Sequence, residues 1–490
     1  MKKITLLFVF IFNNLNAQNF NYFNKLINPD STNVLTNCVL PVEDGYLTAG
    51  VLGSTGTYTA IYLSKIDLNG DFQWLKIIDE DSQVATIGSG NSFIKDAKNP
   101  EHFVLMYGKY QNAEITDLGV ALVKFDKEGN ILWQRLHGDE YRQAPYTLIN
   151  AHDGGYLVSG WQQINANPFT FYALKLDSLG QEQWHNTYTL SSEGSSNAGF
   201  AIATEDGGYL LSSYGYHPQT DMDMYMVKIS SRGTVEWEKN HGSAEEDSGC
   251  QITEYLNQEG YFLSGRKWRF GDSQNYFAQL DSAGNIVWDK HYHIKKASTF
   301  RIRYTPQSNL IGFSHFLNEN YLFNPILASL NLEGDTLWTK PITPDPNNDV
   351  YVRDLEATPD GGYIIAGFNY THTPQYGWIA KIDSLGNTCW ELGCDSTAIA
   401  TNIDHIPTHN PYQVKISPNP VRDRATVSYH LPLDGRLQLF NLSGALVRQF
   451  YLPAYFEALP LDVSSLQGGL YIYKVSIEGR EVSSGKLVVE

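Results

Sequence analysis

Cysteine is scarce, with four in 490 residues, too few to hold a long chain together as a disulfide scaffold. Positive charge is scarce too. Lysine and arginine number 35 against 53 aspartates and glutamates, a formal net charge of -18, which disfavours nucleic acid or an anionic membrane surface as partner. No segment after the first residues is an apolar run of the roughly 20 residues that a membrane-spanning helix needs. Residues 19–393 also contain no helix-period apolar pattern of useful length. Catalytic signatures are missing: there is no Gly-x-Ser-x-Gly elbow, no His-Glu-x-x-His, no P-loop and no adjacent cysteine pair.

What is present begins at the first residues. Met1, Lys2 and Lys3 form a positive start, residues 4–12 a short apolar run, and Leu15-Asn16-Ala17 a cleavage site before Gln18. Residues 1–17 are therefore predicted to be a removed signal peptide. Of the four cysteines, Cys38 and Cys250 fall in similar places of two distant repeats and read as core thiols. Cys389 and Cys394 flank the loop CWELGC, and their spacing permits a disulfide without demonstrating one. No second Cys/His pair accompanies them to make a metal site.

The chain then repeats. A glycine is followed four residues later by tryptophan at Gly70/Trp74, Gly129/Trp133, Gly180/Trp184, Gly233/Trp237, Gly284/Trp288, Gly334/Trp338 and Gly386/Trp390. The Trp-to-Trp spacings are 59, 51, 53, 51, 50 and 52, so seven of the ten tryptophans sit at one repeated position. Strand-like runs such as ALVKFD and NILWQRL flank each glycine, linked by Asp-x-x-Gly, with Ser230 and Asn331 replacing the aspartate twice. Asp first and Gly fourth suit a tight turn with a left-handed glycine. A second element, as in AHDGGYLVSGW at 151–161, recurs at 205–212 and 359–367, with variants at 43–50 and 258–265. Each unit thus holds four strands, A–B turning at Gly-Gly and C–D at Asp-x-x-Gly. The fold class predicted is all-β, a seven-bladed β-propeller over residues 18–394 with the tryptophans packed between blades. Asn19 to Ile27 resembles a fourth strand, although Trp390 already marks one in the last unit.

After Cys394 the repeat stops. Residues 395–413 are polar and read as a linker, and 414–490 as a small immunoglobulin-like β-sandwich of alternating strands. In that tail occur, in order, Ser417-Pro418-Asn419-Pro420, an Asn441-to-Gly444 turn, Gly468-Gly469 before Tyr471, and Gly485-Lys486 before a terminal apolar strand. These motifs closely resemble the C-terminal sorting domain of cargo of the bacterial type IX secretion system. The resemblance implies export through the inner membrane by the signal peptide and across the outer membrane by the tail. It further implies handling by that machinery, removal of the tail, and release or attachment to surface lipopolysaccharide. The repeats themselves resemble the DGGY-type propeller repeats of exported bacterial proteins, which implies fold and not ligand.

Short A–B and C–D hairpins place the B–C and D–A loops together on the opposite face, where variable loops sit on a rigid scaffold. Trp161, Tyr214, Tyr216, Trp268, Phe270 and Tyr376 lie in or beside these loops and suit stacking on sugar or peptide rings. Asp221 and Asp223, or Glu245, Glu246 and Asp247, offer carboxylates to calcium, without the spacing of an EF-hand. His137, His241 and His291 follow fourth strands and read as a structural slot. No catalytic residue and no cofactor is predicted. The expected role is binding of a glycan or protein, with a polysaccharide hydrolase or lyase as the second reading and a surface spacer as the third.

Overall fold

A computed structural model describes residues 22–27, 33–54, 57–80, 84–88, 91–110, 118–138, 142–163, 169–188, 195–196, 199–217, 221–243 and 246–254. It further describes 260–269, 272–292, 300–305, 309–343, 347–370, 375–388, 397–399, 404–405, 414–429, 431, 435–442, 444–453, 458–477 and 480–490. The cleavage site at Ala17 and Gln18, and Glu245, Phe270, Cys389, Trp390 and Cys394, lie outside the described residues. Two compact units divide the chain, Met1–Ile406 and Pro407–Glu490.

Seven sheets, antiparallel but for one short added strand in each of two, follow one another among the described residues of the first unit. In each, the β-branched and aromatic run that opens with Tyr46, Phe103, Tyr156, Tyr209, Tyr261, Leu310 or Tyr363 forms the second strand. The first strands touch in cyclic order: Asn33–Val42, Phe93–Lys95, Arg142–Asn150, Phe200–Ala203, Asp247–Glu254, Arg301–Tyr304, Asp349–Ala357, and back to Asn33–Val42. This is the propeller arrangement, with first strands innermost and no inner edge left open.

The outer strands explain the repeated glycine and tryptophan. Gly129, Gly180, Gly233, Gly284, Gly334 and Gly386 all have φ between +73° and +79°, which favours glycine. A Cβ on them would meet, in turn, the rings of Trp74, Trp133, Trp184, Trp237, Trp288 and Trp338 at 3.0 Å or less. Each ring therefore packs on the turn of the next sheet. Most of these tryptophans are half-buried, and Trp133 is buried. In the first sheet Gly70 meets Phe23, at 2.5 Å from such a Cβ. Phe23–Ile27 pairs with Tyr376–Ile382 as the fourth strand of the seventh sheet. The ring thus closes with the start of the chain, and Phe23 fills the place the sequence pattern suggests for Trp390. Part of the expected linker also pairs with the ring: Thr397–Ile399 lies parallel to Phe23–Ile27, and Asp404–His405 to Phe72–Glu80.

At the turns, Asp67, Asp126, Asp177, Asp281 and Asp383 each accept at Oδ1 from the N–H four residues on, and Ser230 and Asn331 do the same with their own oxygens. At the other hairpins the two glycines serve different needs. Gly154 has φ +77°, whereas a Cβ on Gly155 would lie 2.1 Å from the Leu176 carbonyl oxygen. The aspartate before them has a partner invisible to motif searching. Asp44, Asp153, Asp206 and Asp360 pair with Lys65, Lys175, Lys228 and Lys381 at 2.7–2.9 Å, and all four lysines are buried. A buried ammonium is costly unless paired, so Lys and Asp occur together. The fifth and sixth sheets place Gln279 and Ser329 where the other five have lysine.

The second unit packs a sheet of Lys415–Ser417, Arg424–Ser428 and Ala458–Asp462 with a sheet of Leu446–Leu452, Gly435–Phe440, Gly469–Ile477 and Arg480–Val489. Val427, Leu437, Leu439, Leu461, Val475 and Leu487 form its core.

Candidate functional site

The second strands carry a further signal beyond their opening tyrosine. Four residues later stand Gly50, Tyr107, Gly160, Ser213, Gly265, Ser314 and Gly367. The reason is a bulge in the facing first strand, between Thr36 and Cys38, Pro145 and Thr147, Ser248 and Gln251, and Val352 and Asp354. The bulge pushes a carbonyl oxygen at the second strand. A Cβ on Gly50, Gly160, Gly265 or Gly367 would lie 1.8–2.1 Å from it. Bulges re-aim side chains, and here the residues set aside from the ladder include Asn37, Tyr146 and Arg353.

One residue further the repetition breaks. In the first two sheets that position is Val51 and Gly108; in the next five it is Trp161, Tyr214, Arg266, His315 and Phe368. Equivalence is fixed by register, since they pair with Phe171, Met224, Asn275, Pro325 and Gly377 of the third strands. Each partner stands six residues before the polar residue that opens the next turn (Phe171 and Asp177, for example). Of the candidates named from the sequence, Trp161 and Tyr214 thus share one layer. Arg266, His315 and Phe368 were missed, although the fifth residue after the opening tyrosine would have found them. Trp268 is exposed near the end of its strand, Tyr376 is half-buried at the start of a third strand, and Tyr216 lies opposite Met222.

Inner-strand residues complete the layer. Tyr146 packs edge-on against Phe200 at 4.9 Å, and Tyr351 stacks on Phe368 at 5.1 Å. Arg142, Arg301 and Arg353 lie over Trp161, Phe313 and Phe368 at 5.5, 5.7 and 5.5 Å, which fixes their planes by cation–π attraction. Arg266 donates to Glu246 at 2.5 Å and to Ser248 at 3.1 Å, and Arg301 to the Arg353 carbonyl at 3.3 Å. His315 Nε2 accepts from the Val352 N–H at 2.9 Å. Burial, helped by Arg301 and Arg353, lowers its pKa to about 3, so the imidazole is neutral at ordinary pH.

Nearer the turn end, Arg303 contacts Glu356 at 3.4 Å and Asp354 at 3.7 Å. Burial raises Glu356 to about 7 against the pull of Arg303, and Asp354 adds to the rise. Asp354 is itself raised by burial and accepts from the Val39 N–H.

The acidic candidates for calcium are placed differently. Asp223 and Asp247 are buried, Asp223 accepting from Asn240 at 2.9 Å and Asp247 lying 3.5 Å from Lys267. Glu246 holds Arg266. Among the described residues no group of three or more His, Cys, Asp or Glu is arranged to hold a metal ion. Cys38 and Cys250 are buried free thiols, one register position apart and not equivalent. His137 and His241 contact the carbonyls of Gly180 and Gly284 at 3.0 and 2.9 Å. Tyr188 and Tyr292 do so at Gly233 and Gly334. His291 is not in that slot; Tyr292, its neighbour, is.

In the second unit the tail motifs meet. Asn419, between Pro418 and Pro420, donates to the Lys486 carbonyl at 2.8 Å and accepts from the Val488 N–H at 2.9 Å. Val421 continues this pairing with Val488 and Glu490. Tyr471 donates to the Gln467 carbonyl at 2.7 Å, closing the Gly468-Gly469 turn. Gly444 has φ +80° in a turn opened by Asn441, as in the ring.

Comparison with known proteins agrees. Residues 415–490 match the family described as the secretion system C-terminal sorting domain, and the protein is secreted or displayed at the cell surface. No curated protein matches the chain. Among solved structures, an ulvan lyase bound to a GlcA–Rha3S unit is 8% identical with a TM-score of 0.51, covering 76% of this chain and 100% of its own. The Dos1 propeller is 10% identical with a TM-score of 0.46, covering 78% and 99%. A protein of unknown function from Dyadobacter fermentans is 13% identical with a TM-score of 0.45, covering 61% and 98%. At such identities the likeness concerns the fold alone. No helix among the described residues is long and apolar enough to cross a membrane.

Proposed function

We propose that the first unit is a seven-bladed binding module, carried out of the cell by the sorting domain, that holds a glycan on its loop-rich face. One observation carries this reading. A scaffold that repeats its turns, glycines and ion pairs places Trp161, Tyr214, Arg266, His315 and Phe368 at a single equivalent position. Aromatic rings beside a few fixed polar groups are what a sugar-binding surface requires. A glycan and protein array with the purified protein tests it. Signal on glycans that disappears in Trp161→Ala/Tyr214→Ala supports the reading, and signal on proteins alone refutes it. Export is tested by deleting residues 414–490, which should strand the protein in the periplasm. Release into the medium or attachment to lipopolysaccharide after tail removal follows from the same route.

A second reading, hydrolysis or elimination on a polysaccharide, draws on Asp354 and Glu356, two carboxyls with raised pKa values beside Arg303. Turnover abolished by Glu356→Gln would establish it. The backbone N–H groups that Asp354 accepts give it a sufficient structural role.

A further inference from the structure

We infer that the outer face of the four-stranded sheet in the second unit is the surface by which the secretion machinery holds the protein, and that it fits an apolar surface on that machinery; this rests on the export reading above. The family match gives the tail a recognition task, and its two sheets offer two outer faces for it. On the smaller sheet the outward residues are polar: Lys415, Ser417, Arg424, Thr426 and Ser428 all stand exposed.

The larger sheet differs. Register sets Leu446 opposite Phe440, Phe440 opposite Ile472, and Leu470 opposite Val488, so apolar residues run across all four strands. Their neighbours along the strands, Leu439, Tyr471 and Leu487, lie in the core, and strand alternation therefore turns the stripe outward. Leu446 is 50% and Val488 37% exposed, and Leu442, in the turn after Phe440, 74%. Phe440, Leu470 and Ile472 are half-buried. Single exposed apolar residues are ordinary, but a contiguous set marks an interaction surface.

The same face gathers the tail motifs. Each divides into an inward part that builds the sandwich and an outward part that does not. Phe440 and Leu442 belong to the Asn441-to-Gly444 turn, Leu470 follows Gly468-Gly469, and Val488 lies in the terminal strand. Solvent would be met as well by polar side chains, as on the smaller sheet. Recognition accounts for the outward part, and its place within the segments that mark a sorting domain favours the machinery over a second copy of this chain.

The test is export of the full chain from cells that carry the type IX machinery, read as protein in the medium and at the surface against protein in the periplasm. Leu446→Thr/Val488→Thr changes two exposed residues of the stripe and keeps strand-forming side chains. It should lower the exported fraction at least about tenfold, and adding Ile472→Thr should lower it further. Thr426→Gln/Ser428→Gln, on the smaller sheet, should be exported as the unaltered chain is. Thermal unfolding of each purified variant separates lost recognition from a lost fold; if the triple variant melts early, the pair decides. Normal export of the pair overturns the inference, as does an equal loss in the Thr426/Ser428 variant. A dimer that the pair dissolves while export stays normal would assign the face to a second copy instead. Normal export of the chain lacking residues 414–490 would overturn the export reading and this inference with it.

Discussion

The two ends of each second strand obey different rules. At its start, tyrosine, glycine and an aspartate bound to a buried lysine recur in most sheets, because each serves the hairpin in the same way wherever it occurs. Five residues on, beside a glycine required by a bulge in three sheets and a serine in two, the same scaffold position holds tryptophan, tyrosine, arginine, histidine and phenylalanine. Repetition therefore marks what builds the ring, and divergence at an equivalent position marks where the sheets differ, with Trp161, Tyr214, Arg266 and His315 half-buried there and Phe368 buried in the core.

This contrast can be broken most severely at the glycine that links its halves. Gly160→Ala would put a methyl carbon 2.1 Å from the Ala144 carbonyl oxygen, a backbone atom that cannot step aside. A loss of about 3 kcal/mol or more is expected from such overpacking, measured by denaturant unfolding. A tolerated alanine there would mean that the bulge is not fixed.

A smaller loss, about 1 kcal/mol after allowing for solvent screening, is expected for Asp206→Asn at the turn end. Burial would raise this carboxyl, but Lys228, Thr204 and the Gly208 N–H together bring it down to about 2. Its stabilisation is present above the ordinary carboxylate pKa and is lost as pH falls toward 2. The variant should therefore be less stable at pH 6 and converge with the unaltered protein in acid; parallel curves would contradict the ion pair.

The reverse sign applies to Glu356. Burial raises its pKa to about 7, so the native state holds a proton that the unfolded chain has already lost. Stability from this group is full below its ordinary pKa and declines as pH rises through about 7. Glu356→Gln should narrow the difference in Tm between pH 5 and pH 8, and an unchanged difference would show that the carboxyl is already ionised.

Much of this architecture was legible in the sequence, because turns and glycines are local. The Gly-to-Trp spacing gave the repeat, and the tail motifs gave the sorting domain, whose Asn419 proves to clamp the last strand at Lys486 and Val488. What was not legible depended on contacts distant in sequence. That residues 19–27 resemble a fourth strand was legible, but their register, with Phe23 opposite Lys381, was not. Arg301 and Arg353 enter the site from first strands too irregular to align by eye. Trp161 and Tyr214 were noticed as loop aromatics, but only the register of the third strands shows that they share a layer with Arg266, His315 and Phe368.

The most direct test sets the two ends against each other. The affinities of Trp161→Ala/Tyr214→Ala and of Leu179→Ala/Leu385→Ala, two exposed turn-end leucines, should be measured for the glycan that the unaltered protein binds on the array. The leucine variant should keep its stability within about 1 kcal/mol, since both side chains are exposed, and affinities are compared at a temperature where both variants are fully folded. The account predicts that the first loses at least about tenfold in affinity and the second loses none. Equal affinities, or a loss confined to the leucine variant, would contradict it.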